Sequence, residues 1–192
     1  MMTPKLALRF IKEGASQKLN MMFNFQHMEA DCFMIGWVPA PFNLRKLKRV
    51  YNNWQTKLYG IAWNANYIEN HDQPRIISRY GSEKYRVESG KMLATMYICQ
   101  SGTPFIYQGQ EIGMLNIKLP EIDMYADIQT RDTYKLFRKL LFPHSVTMKI
   151  ANRASRDNAR TPVHVERREE RRLHHGGEAL VLCQPELHRY QC

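Results

Sequence analysis

Two short apolar runs that pass directly into polar, turn-forming segments constrain this chain more than any other feature. Ala65 to Glu69 reads as a strand that delivers Asn70-His71-Asp72-Gln73-Pro74-Arg75 at its C-terminal end. Pro104 to Tyr107 reads as a second strand, inside Gly102-Thr-Pro-Phe-Ile-Tyr-Gln-Gly-Gln-Glu-Ile-Gly-Met114, where glycines punctuate the loop that follows. Leu19 to Phe25 alternates apolar and polar residues and predicts a strand upstream of both. Helical spacing fills the intervals. Phe42 to Tyr59 predicts a helix closed by Gly60, and Tyr85 to Gln100 predicts another with Val87, Met92, Leu93, Met96 and Tyr97 as its apolar stripe. Thr3-Pro4 opens a short helix or turn that Gly14 ends, and residues 32–43 read as a loop. Strands alternating with helices imply α/β architecture with a parallel sheet or a β/α barrel, and in such folds chemistry gathers where strands end. Asp72 falls there.

Charge gives a weaker signal. The 192 residues hold 28 Lys and Arg against 18 Asp and Glu, a formal charge of +10. The basic residues are scattered among acidic and apolar ones. The densest early cluster, Arg45 to Arg49, is interleaved with Leu44, Leu47 and Val50, as on the solvated side of an amphipathic helix. A nucleic-acid partner is not expected, since no stacking motif accompanies the charge. The cysteines (Cys32, Cys99, Cys183, Cys192) lack CxxC spacing, so no metal site and no disulfide framework is expected. Cys99, inside an apolar run, is expected to be buried. No apolar run reaches the ~18 residues of a membrane span, and the first residues lack the apolar region of a signal peptide. A cytoplasmic protein without membrane partners is expected. Residues 116–162 turn polar, with a helical stretch around Tyr134 to Leu141 and then Ser155-Arg-Asp-Asn-Ala-Arg-Thr-Pro162.

Taken together, these segments resemble glycoside hydrolase family 13, in its oligo-1,6-glucosidase and α-glucosidase branch. Asn70 to Arg75 is similar to the motif at the end of barrel strand seven. Gly102 to Met114 is similar to the strand-eight motif, with Gln110 where Glu is usual. Ser155 to Pro162 is similar to the motif of the long segment after strand eight, and Asn24 to Met28 to the strand-six region. The resemblance implies a partial (β/α)8 TIM barrel holding strands six to eight over 1–115, with a polar post-strand-eight segment of the same domain over 116–162. It implies that Asp72 is the third carboxylate of the family triad, which stabilises the transition state rather than attacking. His71 and Arg160 would contact the reacting glucose, and Gln73 would face the leaving-group sugar. The implied substrate is a short oligosaccharide with terminal α-linked glucose, and no cofactor is implied. A carboxylate near the ring suits this chemistry, because glycoside cleavage passes through an oxocarbenium-like state.

A retaining glycosidase needs a nucleophile and a general acid as well. In the family both precede the strand-six region, so the resemblance places them before Met1. Glu13, Glu29 and Asp31, the acids preceding Asn52, match no strand-end motif and are expected at the surface. Residues 163–192 depart from the family text. Leu173 to Val181 can be encoded so that dropping one base yields Phe-Thr-Thr-Gly-Glu-Lys-Pro-Trp, which is family-like, so the segment reads as a frameshifted tail. Its His174-His175 pair is then not a metal site. The expectation is a piece of an α-glucosidase that is inactive alone. A non-catalytic interaction protein of the same family and a basic nucleic-acid-binding module are the alternatives.

Overall fold

The computed structural model describes residues 2–15, 17–33 and 39–163. The frameshift reading, the His174-His175 pair, Cys183 and Cys192 lie outside them. The described residues form two compact units, drawn from Met1–Ile68 with Glu88–Ile106 and from Glu69–Val87 with Tyr107–Cys192.

The first unit is built on a three-stranded parallel sheet in the order β1-β2-β3: β1 is Met21–Phe23, β2 is Trp63–Asn66 and β3 is Thr103–Pro104. Parallel pairing requires crossovers, and helices supply them. Helix α1 (Pro4–Ile11) starts on Thr3, whose hydroxyl accepts from the Leu6 amide at 3.3 Å, with Pro4 preset for the first turn. Helix α2 (Leu44–Leu58) starts on Asn43, whose side chain accepts from the Lys46 amide at 2.9 Å, and ends before Gly60 at φ +69°. Ala7, Ile11, Trp54, Leu58 and Ala62 form one core, with Met22 against it. Trp54 keeps its indole N–H satisfied by donating to Gln26 Oε1 at 2.7 Å. Phe23, Trp63 and Phe105 alternate onto the opposite face of the sheet, and each stays more than a third exposed.

All three strands are shorter than their apolar runs suggest. β2 ends at Asn66, so His71 and Asp72 sit in the irregular segment beyond it. β3 ends at Pro104. The Phe105 amide still donates to Asn66 O at 2.8 Å, and the chain then closes a turn over Tyr107 to Gln110. Helix α4 (Arg86–Ile98) buries Ser89, Leu93 and Tyr97, four residues apart, while Val87 and Met92 from the expected stripe are exposed. Cys99 is exposed rather than buried. It lies about 200° around the helix from Tyr97, hence on the other face. Asp31, expected at the surface, is buried in the turn before the Cys32–Pro39 bridge, and its carbonyl accepts from the Ala40 amide at 2.7 Å. Arg45, Lys48 and Arg49 are solvent-exposed, as read from the sequence.

The second unit holds α3 (Ile76–Tyr80), α5 (Ile128–Lys139) and α6 (His144–Ala154). Its core is Ile117, Leu119, Tyr125, Met148 and Ala151. A 3-10 turn, Arg156–Ala159, follows α6 and is capped by Ser155, whose hydroxyl accepts from the Asp157 amide at 3.2 Å. Asn158, fully buried, ties this turn down by accepting from the Ile117 amide at 3.1 Å and donating to Asn152 O at 3.0 Å.

Candidate active site

The loop from Glu69 to Arg75 is closed by a buried ion pair. Arg75 donates to Glu69 Oε2 at 3.0 Å, and the side chains are 0% and 2% exposed. The other Glu69 oxygen accepts from the Ile76 amide at 2.8 Å, satisfying an orphan N–H at the start of α3. Arg75 also donates to Gln108 O at 2.8 Å and stacks over the Tyr107 ring at 5.3 Å. Burial pushes the Glu69 carboxyl up, against the Ile76 amide and the Arg75 guanidinium that pull it down. Gly109 leaves the room this arrangement needs: a Cβ there would stand 2.2 Å from Met114 Sδ and 3.2 Å from Arg75 Nη2, at φ +84°.

Between the ends of this clamp the chain turns outward. The Asn70 side chain accepts from the Asp72 amide at 2.8 Å, an Asx turn that raises His71 and Asp72 into solvent. Asp72 meets three groups. Arg160 Nη2 donates to Oδ1 at 2.6 Å, Arg156 Nη1 lies 3.6 Å from the same oxygen, and His71 Nε2 lies 3.3 Å from Oδ2. Arg160 is itself steered by a 3.0 Å bond from Nε to His71 O. The Asp72 and Arg160 side chains remain 45% and 43% exposed, so the pair is open to a ligand. The expected residues Asp72, His71 and Arg160 therefore converge. Gln73 does not join them: its side-chain oxygen accepts from Arg79 at 2.7 Å. Gln110, the departure from the family text, accepts from the Tyr107 amide at 3.2 Å and closes the turn.

Two residues of this cluster carried no role in the sequence reading. Arg156 places Nε and Nη2 at 3.1 and 2.6 Å from Asp127 Oδ1. Asp127 is buried and heads α5, and its Oδ2 accepts from the Thr130 hydroxyl at 2.7 Å. Burial pushes the Asp127 carboxyl up, but the Arg156 and Thr130 hydrogen bonds outweigh it and hold the carboxyl below its ordinary value. The hydrogen bonds to Asp127 push the Arg156 guanidinium up. Asp127 and Arg156 are 29 residues apart, a spacing that no local periodicity displays. The one signal was that Arg156 is the second residue of the Ser155 to Pro162 motif.

Among the described residues, no group of three or more His, Cys, Asp or Glu side chains is placed to hold a metal ion. No described helix is long and apolar enough to cross a membrane.

The family model for the alpha-amylase catalytic domain matches residues 2–172. The oligo-1,6-glucosidase of Halalkalibacterium halodurans is 47% identical over 163 residues, which cover 84% of this chain and 29% of that protein. The crystal structure of Bacillus licheniformis trehalose-6-phosphate hydrolase matches at TM-score 0.79 and 43% identity, covering 84% of this chain and 30% of that one. The isomaltulose synthase of Klebsiella sp. LX3 matches at TM-score 0.78 and 27% identity, covering 85% and 30%. The chain thus spans less than a third of the length of these relatives, and its strands and helices correspond to part of their barrel enzymes. This chain belongs to the alpha-amylase catalytic-domain family, glycoside hydrolase family 13.

Proposed function

We propose that the chain is the C-terminal part of an α-glucosidase barrel, oligo-1,6-glucosidase-like, whose parent hydrolyses terminal α-linked glucose from short oligosaccharides with retention. In this reading residues 1–115 carry barrel strands six to eight and 116–162 the long segment that follows. Asp72 stabilises the oxocarbenium-like transition state, because a fixed carboxylate beside the ring gains attraction as positive charge develops. His71 bonds sugar hydroxyls. Arg160 contacts the reacting glucose and orients Asp72 through its 2.6 Å bond to Oδ1. Gln73 faces the leaving-group sugar after its bond to Arg79 opens. The observation that carries the reading is the half-exposed Asp72 carboxylate between Arg160 and His71.

The chain alone does not turn over in this account. Retaining cleavage needs an acid and a nucleophile with carboxyl groups about 5 Å apart. Asp127 and Glu69, the acids on either side of the site in this unit, are buried and engaged by Arg156 and Arg75. Carboxylates buried and paired in that way are committed to holding the fold. The nucleophile and the general acid belong to sequence outside these residues. Purified chain assayed on 4-nitrophenyl α-glucoside and on isomaltose is expected to release no glucose above buffer. Release that disappears in Asp72→Ala would overturn the assignment of the missing groups.

A further inference from the structure

Arg156 stands between two carboxylates of different character. Asp127 is held from several directions: by Arg156 Nε and Nη2, by the Thr130 hydroxyl, and through its own amide, which donates to Asp157 Oδ2 at 3.0 Å. The Thr130 hydroxyl lies 3.0 Å from Ser155 Oγ, the cap of the turn that carries Arg156. A guanidinium is a rigid planar fork, so committing Nε and Nη2 to one carboxylate fixes where Nη1 points. Here it faces Asp72 Oδ1 at 3.6 Å. Arg160 takes that same oxygen at 2.6 Å.

The two cations therefore converge on one oxygen of Asp72. A carboxylate offers about four lone-pair sites across two oxygens. Oδ1 carries both arginines, while His71 stands against Oδ2 at 3.3 Å. We propose that Asp127 and Arg156 are a positioning pair that anchors Asp72 through Oδ1 and leaves Oδ2 as the oxygen that accepts from the sugar. The assignment of Oδ2 to the sugar rests on the functional reading above. The coupling of Asp127 to Asp72 does not. Neither Asp127 nor Arg156 touches the reacting atoms; they act through Asp72.

The test uses the whole chain, labelled with 13C and 15N, and follows the Asp72 carboxyl carbon and the Arg156 and Arg160 Nε–Hε signals. Asp127→Asn keeps an acceptor for the α5 cap but removes the charge that holds the fork. Arg156→Lys leaves that cap untouched and cannot reach both carboxylates at once. Both variants are expected to shift the Asp72 carboxyl resonance and broaden the arginine signals, while Asp132→Asn, on the exposed side of α5, moves neither. In parallel, the protonated iminosugar 1-deoxynojirimycin is titrated into each. Its affinity is expected to fall about threefold to tenfold in Asp127→Asn and Arg156→Lys, the range for a loosened charge contact. An Asp72 resonance unchanged in both variants overturns the positioning pair, even if the iminosugar binds. A resonance that moves in a chain that does not bind the iminosugar leaves the pair standing and overturns the sugar-binding reading. If one variant fails to fold by circular dichroism, the other carries the test.

Discussion

Two carboxylate–arginine pairs lie within a few residues of each other in this chain, and they are opposites. Glu69–Arg75 is sealed from solvent at 2% and 0% exposure, whereas Asp72–Arg160 stands 45% and 43% exposed. The first closes a loop and caps a helix; the second sits on the crest of that loop, held by a side-chain turn at Asn70. A buried pair has lost its hydration, and removing one partner strands a charge in a poorly polarisable interior. An exposed pair costs little to form and contributes little to stability, so it stays available to a ligand. On the proposed function, the contrast separates what builds the site from what works in it.

The largest effect that would sharpen this contrast is in the sealed pair. Arg75→Met should lower unfolding free energy by about 3–5 kcal/mol, the usual cost of stranding a buried charge, read by urea denaturation. Glu69→Gln should cost less than Arg75→Met, because the amide keeps the side chain's volume and its oxygen can still cap Ile76. Equal losses would show that charge pairing, rather than burial, governs the clamp. Next comes Gly109→Ala, which drives a Cβ toward Met114 Sδ at an unfavourable φ and should cost about 1–3 kcal/mol. A neutral result would mean that Met114 moves aside freely and the clamp is loose.

The pH dependence of stability separates two buried acids, Asp127 and Glu69, by sign. Asp127 is held below its ordinary value of 3.8, so its contribution is full above that value and is lost as pH falls through the depressed one. Glu69 is held above its ordinary value of 4.5, so its contribution is full below that value and fades as pH rises through the raised one. Denaturant midpoints measured from pH 2.5 to 7 should therefore lose their acid-side fall in Asp127→Asn and their fall with rising pH in Glu69→Gln. Smallest of all should be the stability change in Asp72→Asn, about 1 kcal/mol or less. A loss as large as that of Arg75→Met would erase the distinction between the two pairs.

The legible and the hidden parts of this molecule divide along similar lines. Periodicity and turn chemistry marked all three strands and the helices α2 and α4; α2 and β1 meet the first unit's core, and α4 buries Leu93 and Tyr97 along one face. They overran the strand ends, since the polar segments after Asn66 and Pro104 turn away on hydrogen bonds that involve Asn66 O, Asn70 and Gln110. Helix α3 has five residues, too few to show a period, and it is capped by Glu69 from outside its own first turn. Helix α6 opens on Pro143 and buries Thr147 among its core residues, which blurs its apolar face. At the site, Asp72, His71 and Arg160 were found through motif resemblance. Glu69, Asp127 and Arg156 were not, because six and 29 residues of separation become adjacency only after the chain has folded.

Titration of 1-deoxynojirimycin into the wild-type chain and Asp72→Asn, followed by NMR, tests most directly the claim that the open pair is the working one. The account predicts saturable binding, on the order of millimolar, centred on His71, Asp72 and Arg160, and its loss in a variant that remains fully folded. Equal binding by both chains, or perturbations confined to residues away from these three, would contradict it.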